Sequence, residues 1–382
     1  MPEPIEPRPS GRSFLPDLLK AAGCLLIVLH HMAFYGPMAD VVARHWPGTI
    51  DWLAEHGRLA VQLFLVCSGY LTAAALQARP VINARDGLRL AGRRYLRLSI
   101  PLLAALSVAV LVTEWIRPDF DHHSLSATPQ WMQMLAHVFF MQHLVEIEAL
   151  SAGVWYVAID WQLYLMTLLA YWAVTVWSRW HPDWHAAALR LQVLIALTVL
   201  SLFHWNLQPD LDLYGLYFFG AYGMGWLAHR ARCSRIPPKG WVLLLSLGLF
   251  ALWIDPRWRI ATAWSVALLL AAAPQRWLQP AGLQPCSPWR AIIEQLARIS
   301  YSVFLIHYAV MLAVGAWITA RWPGQWLANA AGMLAALLLS LLAGALLYRL
   351  TEAPPQTLRR WLFWLVVFAL STALARHLAV GR

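Results

Sequence analysis

The sequence has little charge for its length. Only 13% of the 382 residues are Asp, Glu, Lys or Arg, whereas 60% are hydrophobic. A soluble globular domain carries roughly twice that share of charged residues, so the composition excludes an ordinary soluble protein. Apolar runs of about 20 residues, long enough to cross a bilayer, recur along the chain. The sequence therefore predicts an all-α fold, a polytopic membrane bundle of helices.

Cysteine pairs and nucleotide-binding motifs are also lacking. The four cysteines form no CxxC pair, and Cys24 and Cys67 lie inside apolar runs. We therefore expect neither a disulfide framework nor a zinc site. No GxxxxGK[ST] motif is present, and no GxGxxG follows a strand pattern. One polar region holds several histidines without the acidic or Cys spacing of metal ligands, so we expect no metal: His122, His123, His137 and His143.

Ten apolar segments are predicted to span the membrane, and a further run makes a possible eleventh. They are 14–35, 59–77, 98–116, 153–177, 188–206, 211–229, 241–254, 258–273, 296–320 and 326–350, with 361–379 as the eleventh. Segment 131–143 is too short to cross easily and is interpreted as interfacial or re-entrant. These boundaries divide the chain into an N-terminal tail (1–13), a transmembrane domain (14–352) and a C-terminal apolar segment (353–382).

Basic residues collect in alternate connections. One side holds Arg8, Arg12, Arg79, Arg85, Arg89, Arg93, Arg94, Arg97, Arg230, Arg232, Arg235, Lys239, Arg359 and Arg360; the other holds Asp119, Asp121, Glu146, Glu148, Asp210 and Asp212. Because Lys and Arg favour the cytosolic side, this pattern predicts a cytosolic N-terminus. It also explains the net charge of +10 without a nucleic-acid partner. Whether the C-terminus is cytosolic or extracytosolic depends on whether segment 361–379 crosses the membrane.

The first predicted span contains ionisable residues. Lys20 and His31 are eleven residues apart, about 16 Å along a helix, and three turns place them on one face. His30 points about 100° away. A histidine suits a general base because its ordinary pKa lies near neutrality. The alternative is that a histidine here bonds a neighbouring helix, and for His30 we favour that alternative.

Other ionisable residues lie in or beside later spans. Arg94 and Arg97 share a helix face and suit phosphate binding, although they could instead anchor the span at the cytosolic interface. Asp160 in "WYVAIDWQLYL" needs a partner inside a membrane, which could be a base or a structural ion pair. His307 in "ISYSVFLIHYAV" could act chemically or pack between helices. Ser68-Gly69 is interpreted as small-residue packing.

Taken together and in order, these segments resemble the acyltransferase-3 family of bacterial membrane O-acyltransferases. "FLPDLLKAAGCLLIVLHHMAF" resembles its first span, with Lys20 and His31 as the basic residue and histidine. "VQLFLVCSGYL", "RRYLR" and "WYVAIDWQLYL" resemble its FFxLSGxL, RxxR and WxLxxExQFYL segments. The late "ISYSVFLIHYAV" and "YRLTEAP" resemble its SYxxYLxH and IExP segments, which brings in Glu352. Asp160 stands where the family has Glu, and Lys20 where Arg is common.

The resemblance implies a chain in the bacterial inner membrane that takes an acyl group, acetyl by default, from cytosolic acyl-CoA. The acceptor implied is a hydroxyl of an extracytosolic glycan or glycolipid. The resemblance also implies that His31 is the catalytic residue and that the donor is held by Lys20, Arg94 and Arg97. Asp160, His307 and Glu352 support the acceptor or His31. Membrane lipids are the other expected partner.

Two other classes remain open from the sequence. Intramembrane charges also mark transport paths, so a transporter or flippase of a glycan-type or anionic substrate is the main alternative. A structural membrane subunit, whose charges only hold helices together, is the second. The acceptor, the acyl chain length and the oligomeric state are not encoded in these patterns.

Overall fold

The computed structural model describes residues 13–78, 83–181, 183–233, 237–278 and 287–380. The predicted tail, except Ser13, lies outside them, as do Arg79, Arg235 and Cys286. In the described part the chain forms fifteen α-helices: α1 (Phe14–Tyr35), α2 (Pro37–Val42), α3 (Pro47–His56), α4 (Ala60–Ala78), α5 (Ala84–Ile116), α6 (Trp131–Val138), α7 (Val154–Trp180), α8 (Ala186–Phe203), α9 (Gly215–Cys233), α10 (Pro237–Ile254), α11 (Trp258–Ala272), α12 (Gln275–Leu278), α13 (Pro288–Arg321), α14 (Trp326–Thr351) and α15 (Leu358–Val380).

The expected number of about ten spans is not confirmed. Among the described residues, eight helical stretches are long and apolar enough to cross a membrane: those containing α1, α4, α5, α7, α8, α13, α14 and α15. The apolar parts of α10 and α11 are shorter, Lys239–Ile254 and Trp258–Ala272. Helix α9 is buried along most of its length among α4, α8, α10 and α11. A helix so enclosed contacts protein instead of lipid, which is why its sequence need not be uniformly apolar.

The fold brings alternate connections to opposite ends of the bundle. The Ser13 hydroxyl donates to the Leu278 carbonyl, and Arg232 donates to the Ala271 carbonyl at 3.4 Å. These contacts gather the start of α1 and the ends of α9 and α11 at what we call the basic end. At the opposite end, Arg257 before α11 donates to the Leu202 carbonyl near the end of α8.

Helix α6 and its flanks form a re-entrant segment. The Tyr95 hydroxyl, eleven residues from the start of α5, donates to the Val138 carbonyl at 2.8 Å. Phe140 is only 2% exposed, and its ring lies 5.3 Å from Tyr95 and 6.1 Å from Trp161. The segment therefore returns into the bundle before α7 begins, and of the two interpretations, interfacial or re-entrant, the structure favours re-entrant.

The eleventh apolar run forms the continuous helix α15, which packs along α5 and touches α6. Arg376 near its end donates to the Pro129 carbonyl at 3.3 Å, just before α6. Phe368 and Ala375 are fully buried, whereas most of the helix surface is exposed and apolar. This pattern is typical of a lipid-facing helix on the rim of a bundle.

Candidate active site

The predicted histidines His31 and His307 meet in the core between α1 and α13. His31 Nδ1 lies 2.7 Å from His307 Nε2, and the rings are parallel within 9° with centroids 4.9 Å apart. His31 is 4% exposed and His307 is fully buried. Residues 276 positions apart in the sequence thus form one hydrogen-bonded pair.

The backbone of α13 fixes the proton positions in this pair. His307 Nδ1 donates to the carbonyl of Phe304 at 2.8 Å, so the Nε2 of the neutral ring must be an acceptor. His31 Nδ1 therefore donates to it, which leaves the lone pair of His31 on Nε2. No described residue hydrogen-bonds His31 Nε2. A buried imidazole with an available lone pair is suited to accept a proton from a reacting group.

The start of α7 closes one side of the pair. Gly153 has φ +83°, and a Cβ there would lie 3.2 Å from His31 Cε1 and 2.9 Å from Phe304 Cζ. Only glycine combines that backbone conformation with so close an approach. His30 points elsewhere: its Nδ1 donates to the Leu53 carbonyl at 3.0 Å, the structural role favoured for it from the sequence.

Asp160 does not contact His31 but forms an ion pair with Arg94. Arg94 Nη2 donates to Asp160 Oδ2 at 2.6 Å, and the Ser68 hydroxyl donates to Asp160 Oδ1 at 2.7 Å. The guanidinium also lies 4.9 Å from the centre of the Tyr164 ring. The side chain of Asp160 is 6% exposed and that of Arg94 is 24% exposed. The arrangement joins α4, α5 and α7 through one buried carboxylate.

The remaining predicted residues lie towards the basic end. Arg97 is exposed on α5, and Glu352 accepts a hydrogen bond from the Ser302 hydroxyl at 2.5 Å. Both lie within electrostatic range of Tyr301, as do Arg94 and Asp160. Lys20 is half-buried on α1 and acts electrostatically on Cys67 of α4. Polar groups from five helices therefore gather on the basic side of the histidine pair.

At the opposite end of the bundle lies a cavity of about 630 Å³. Three arginines, two carboxylates and several aromatic rings line it, among them Arg58, Arg257, Arg259, Glu55, Asp212, Trp155 and Trp258. We call it the outer cavity. Gly57, beside Arg58, packs against His30, and Trp155 is two residues from Gly153. Two residues of the cavity wall are thus close in sequence to the glycines that pack on His30 and His31.

The other histidines of the re-entrant region have separate partners. His137 donates from Nδ1 to the Gln133 carbonyl at 2.7 Å and accepts the Leu150 amide on Nε2 at 3.1 Å. Burial lowers the pKa of His137 to about 4. In the described ranges no three His, Cys, Asp or Glu side chains are grouped to hold a metal ion.

The sequence profile described as an acyltransferase domain, that of the acyltransferase-3 family, matches residues 15–349. The match covers most of the chain, which therefore belongs to the acyltransferase-3 family of multi-pass membrane proteins. The predicted family resemblance is confirmed. No curated protein and no solved structure gives a significant match.

Most of these residues are identifiable from the sequence, but some of their contacts are not. Ser68 was interpreted as small-residue packing, yet its hydroxyl binds Asp160. Arg58 and Arg259 lie in short connections and at a helix start, where arginines look like ordinary surface charges. The signal available for Arg259 is its position beside an apolar helix on the side poor in basic residues.

Proposed function

We propose that this protein is an O-acyltransferase that moves an acyl group, acetyl by default, from cytosolic acyl-CoA to a hydroxyl of an extracytosolic glycan or glycolipid. The observation that carries the proposal is the buried His31–His307 pair, placed between a polar cluster at the basic end and the outer cavity. Under the positive-inside rule the basic end faces the cytosol. Donor and acceptor can then approach one histidine from opposite sides.

In the proposed reaction, His31 Nε2 takes the proton of the acceptor hydroxyl. The oxygen attacks the thioester carbonyl, the C–S bond breaks, and the leaving CoA sulfur takes the proton back from His31. The products are the acyl ester and CoA. Alternatively, His31 Nε2 attacks the thioester carbonyl, the C–S bond breaks and CoA leaves as the thiolate. The acceptor hydroxyl then takes the acyl group from His31, the C–N bond breaks, and the hydroxyl proton goes to the CoA thiolate. In both routes His307 holds His31 in the tautomer whose Nε2 is basic.

The donor would be held by its phosphates at the basic end. Lys20 and Arg97 supply positive charge there, and the pantetheine arm is thin enough to reach inward between helices. Arg94 forms an ion pair with Asp160, so the two side chains together add no net charge beside the path of the pantetheine arm. The other guanidinium nitrogens of Arg94 can donate hydrogen bonds to the acyl donor. The hydrogen bond from Ser302 to Glu352 joins the middle of α13 to the residue that follows α14.

The deciding experiment measures CoA release from acetyl-CoA by purified protein without any ion gradient. His31→Asn keeps an amide that can donate to His307 but has no basic nitrogen, so we expect folded protein with transfer reduced by at least about 100-fold. The matched control is His30→Asn, which we expect to remain within a few fold of the original rate. Full activity in His31→Asn would overturn the proposal.

Donor binding is tested separately on the same samples. Arg97→Gln removes one charge at the basic end and should weaken acetyl-CoA binding by about tenfold. Arg89→Gln, exposed on an earlier turn of α5, serves as the control of equal charge. Gradient-driven substrate movement without CoA release would favour a transporter instead.

A further inference from the structure

The three arginines of the outer cavity differ in how they are paired. Arg257 forms an ion pair with Asp255, with Nε 3.2 Å from Oδ2. Within the described residues, Arg58 and Arg259 have no carboxylate at ion-pair distance. The cavity carboxylates Glu55 and Asp212 are both exposed, so solvent screens them.

Arg259 is held rigidly by neutral groups. Its Nη1 donates to the Tyr217 hydroxyl, its Nη2 donates to the Asn206 carbonyl at 3.2 Å, and its guanidinium lies 4.7 Å from the centre of the Tyr217 ring. A guanidinium fixed by a ring and neutral oxygens keeps its full charge and its planar array of donors. The free energy of such a partly desolvated cation falls when an anion binds it.

Arg58 brings a second cation to the same wall. It lies in the turn between α3 and α4 and is exposed to the cavity, and its guanidinium makes no hydrogen bond to a described residue. Its charge and that of Arg259 are close enough to repel each other. Asp212 also acts on Arg259, although no carboxylate of a described residue lies at ion-pair distance from either guanidinium. Two neighbouring guanidiniums of this kind suit the binding of a carboxylate or phosphate.

The aromatic residues of the cavity indicate what carries the anionic group. Trp258 and Trp155 line the wall beside Tyr217 and Phe218, and flat rings stack on the apolar faces of sugars. A volume of about 630 Å³ accommodates one or two sugar rings. Trp155 lies two residues from Gly153, the glycine that packs on His31.

We propose that the outer cavity selects an acceptor sugar with a negatively charged group, a carboxylate or a phosphate, bound by Arg58 and Arg259. This inference rests on the proposed function in that the bound sugar is the acyl acceptor. The anionic group orients the sugar, and the neighbouring hydroxyl is presented to His31.

Binding of matched neutral and charged sugars tests the inference. Trigalacturonic acid and its trimethyl ester share one sugar chain and differ in the three carboxylate charges and the methyl groups that remove them. Their binding to detergent-purified protein is followed by tryptophan fluorescence. We expect the acid to bind at least about tenfold more tightly than the ester, with the preference decreasing as salt is added. Glucose 6-phosphate against glucose distinguishes a phosphate preference from a carboxylate preference. Equal binding of charged and neutral sugars in both pairs would overturn the inference.

Variants of Arg58 show whether the preference comes from the cavity. Arg58→Gln should lower the preference by about tenfold, and Arg58→Glu should abolish it. Arg44→Gln removes an exposed arginine after α2, outside the cavity wall, and should leave the preference unchanged. Retention of the preference in Arg58→Glu would also overturn the inference.

Hydrolysis of acetyl-CoA without added sugar separates the two proposals. Water replaces the acceptor in that assay, so it reports the donor reaction alone. Hydrolysis without a charge preference refutes the acceptor inference and leaves the proposed function standing. A charge preference without hydrolysis or transfer refutes the proposed function and leaves an anion-binding cavity.

Discussion

His307 decides which nitrogen of His31 carries a proton, because its own Nδ1 is committed to the Phe304 carbonyl. We expect His307→Leu to lower acyl transfer by roughly 100-fold, since His31 loses the acceptor that fixes its tautomer. His307→Gln, whose side-chain oxygen can replace Nε2 as acceptor, should recover about a tenth of the original rate or more. The measurement is the rate of CoA release across a pH series.

A purely structural role of His307 gives a different outcome. Both variants would then lose folded protein in proportion to lost activity, as seen by size-exclusion profiles, and the pH at half-maximal rate would not move. A shifted pH profile in His307→Gln with normal folding identifies it as a positioning residue.

The sequence indicates His31, Arg94, Asp160 and His307 as candidate functional residues but does not show which of them pair. Periodicity relates residues a few turns apart on one helix, whereas His31 and His307 are separated by 276 positions and Arg94 and Asp160 by 66. Such residues stand out in the sequence because an ionisable side chain inside a membrane costs free energy. Their pairing depends on how the helices pack, which no local pattern encodes.

At the level of helices, the Arg94–Asp160 pair joins α5 to α7. Asp160→Ala leaves a partly buried guanidinium without its carboxylate, and we expect a loss of about 3–5 kcal/mol of stability. The double variant Arg94→Met/Asp160→Leu should be more stable than Asp160→Ala, because no unpaired charge is left. Thermal unfolding in detergent measures both.

Arg97→Ala is the control for that series, since Arg97 is exposed on the same helix. We expect it to change stability by less than about 1 kcal/mol. If Asp160→Ala were as stable as Arg97→Ala, the pair would contribute nothing to helix association. Loss of donor binding in Arg94 variants would then report the donor site directly.

We expect acid to lower the stability of the re-entrant segment, because His137 is buried there. Burial lowers its pKa from 6.5 to about 4, so the unfolded chain binds the proton first. Above pH 6.5 the ring is neutral in both the folded and the unfolded chain, so it does not reduce the free energy of unfolding. As the pH falls from 6.5 towards 4, protonation of the unfolded chain lowers the free energy of unfolding by up to about 3 kcal/mol. Thermal unfolding between pH 7.5 and 4.5 measures the loss.

His137→Gln is expected to unfold at lower temperature at neutral pH but to depend less on pH. Part of the dependence will remain, since burial also lowers the pKa of His143. His123→Gln, an exposed neighbour, should behave as the original protein. An unchanged pH dependence in His137→Gln would contradict the assignment.

Segment boundaries show how far helices are predictable from apolar runs. Predicted span 14–35 has the bounds of α1, because apolar residues lie at both ends of that helix. Predicted span 98–116 begins fourteen residues late, since α5 starts at Ala84 with a basic, exposed stretch. Hydropathy detects the part of a helix that contacts lipid or the protein core. It does not show that the helix continues into water.

On the scale of the whole molecule, the two ends should face different compartments. In cells expressing a chain with Cys233 and Cys286 replaced by serine, we expect Arg44→Cys to react with a membrane-impermeant thiol reagent. Arg93→Cys should react only after permeabilisation. Val380→Cys, at the 86% exposed end of α15, should react as Arg44→Cys does if that helix crosses.

Cys24 and Cys67 are buried and should stay unlabelled in every variant, which provides the internal control. Reaction of Arg93→Cys in intact cells would reverse the proposed orientation. It would also place the outer cavity in the cytosol, where no extracytosolic acceptor could reach it.

The position of α7 has an electrical consequence. Ile159 lines the outer cavity, and the next residue, Asp160, belongs to the ion pair on the basic side of the histidines. Water that enters from both ends would therefore leave only a thin insulating layer around His31, and most of the membrane voltage would fall across it. A full charge crossing 100 mV changes in free energy by about 2.3 kcal/mol. Proton movement to and from His31 would then be coupled to that voltage, and acylation in an energised cell would run at a different rate from acylation in detergent.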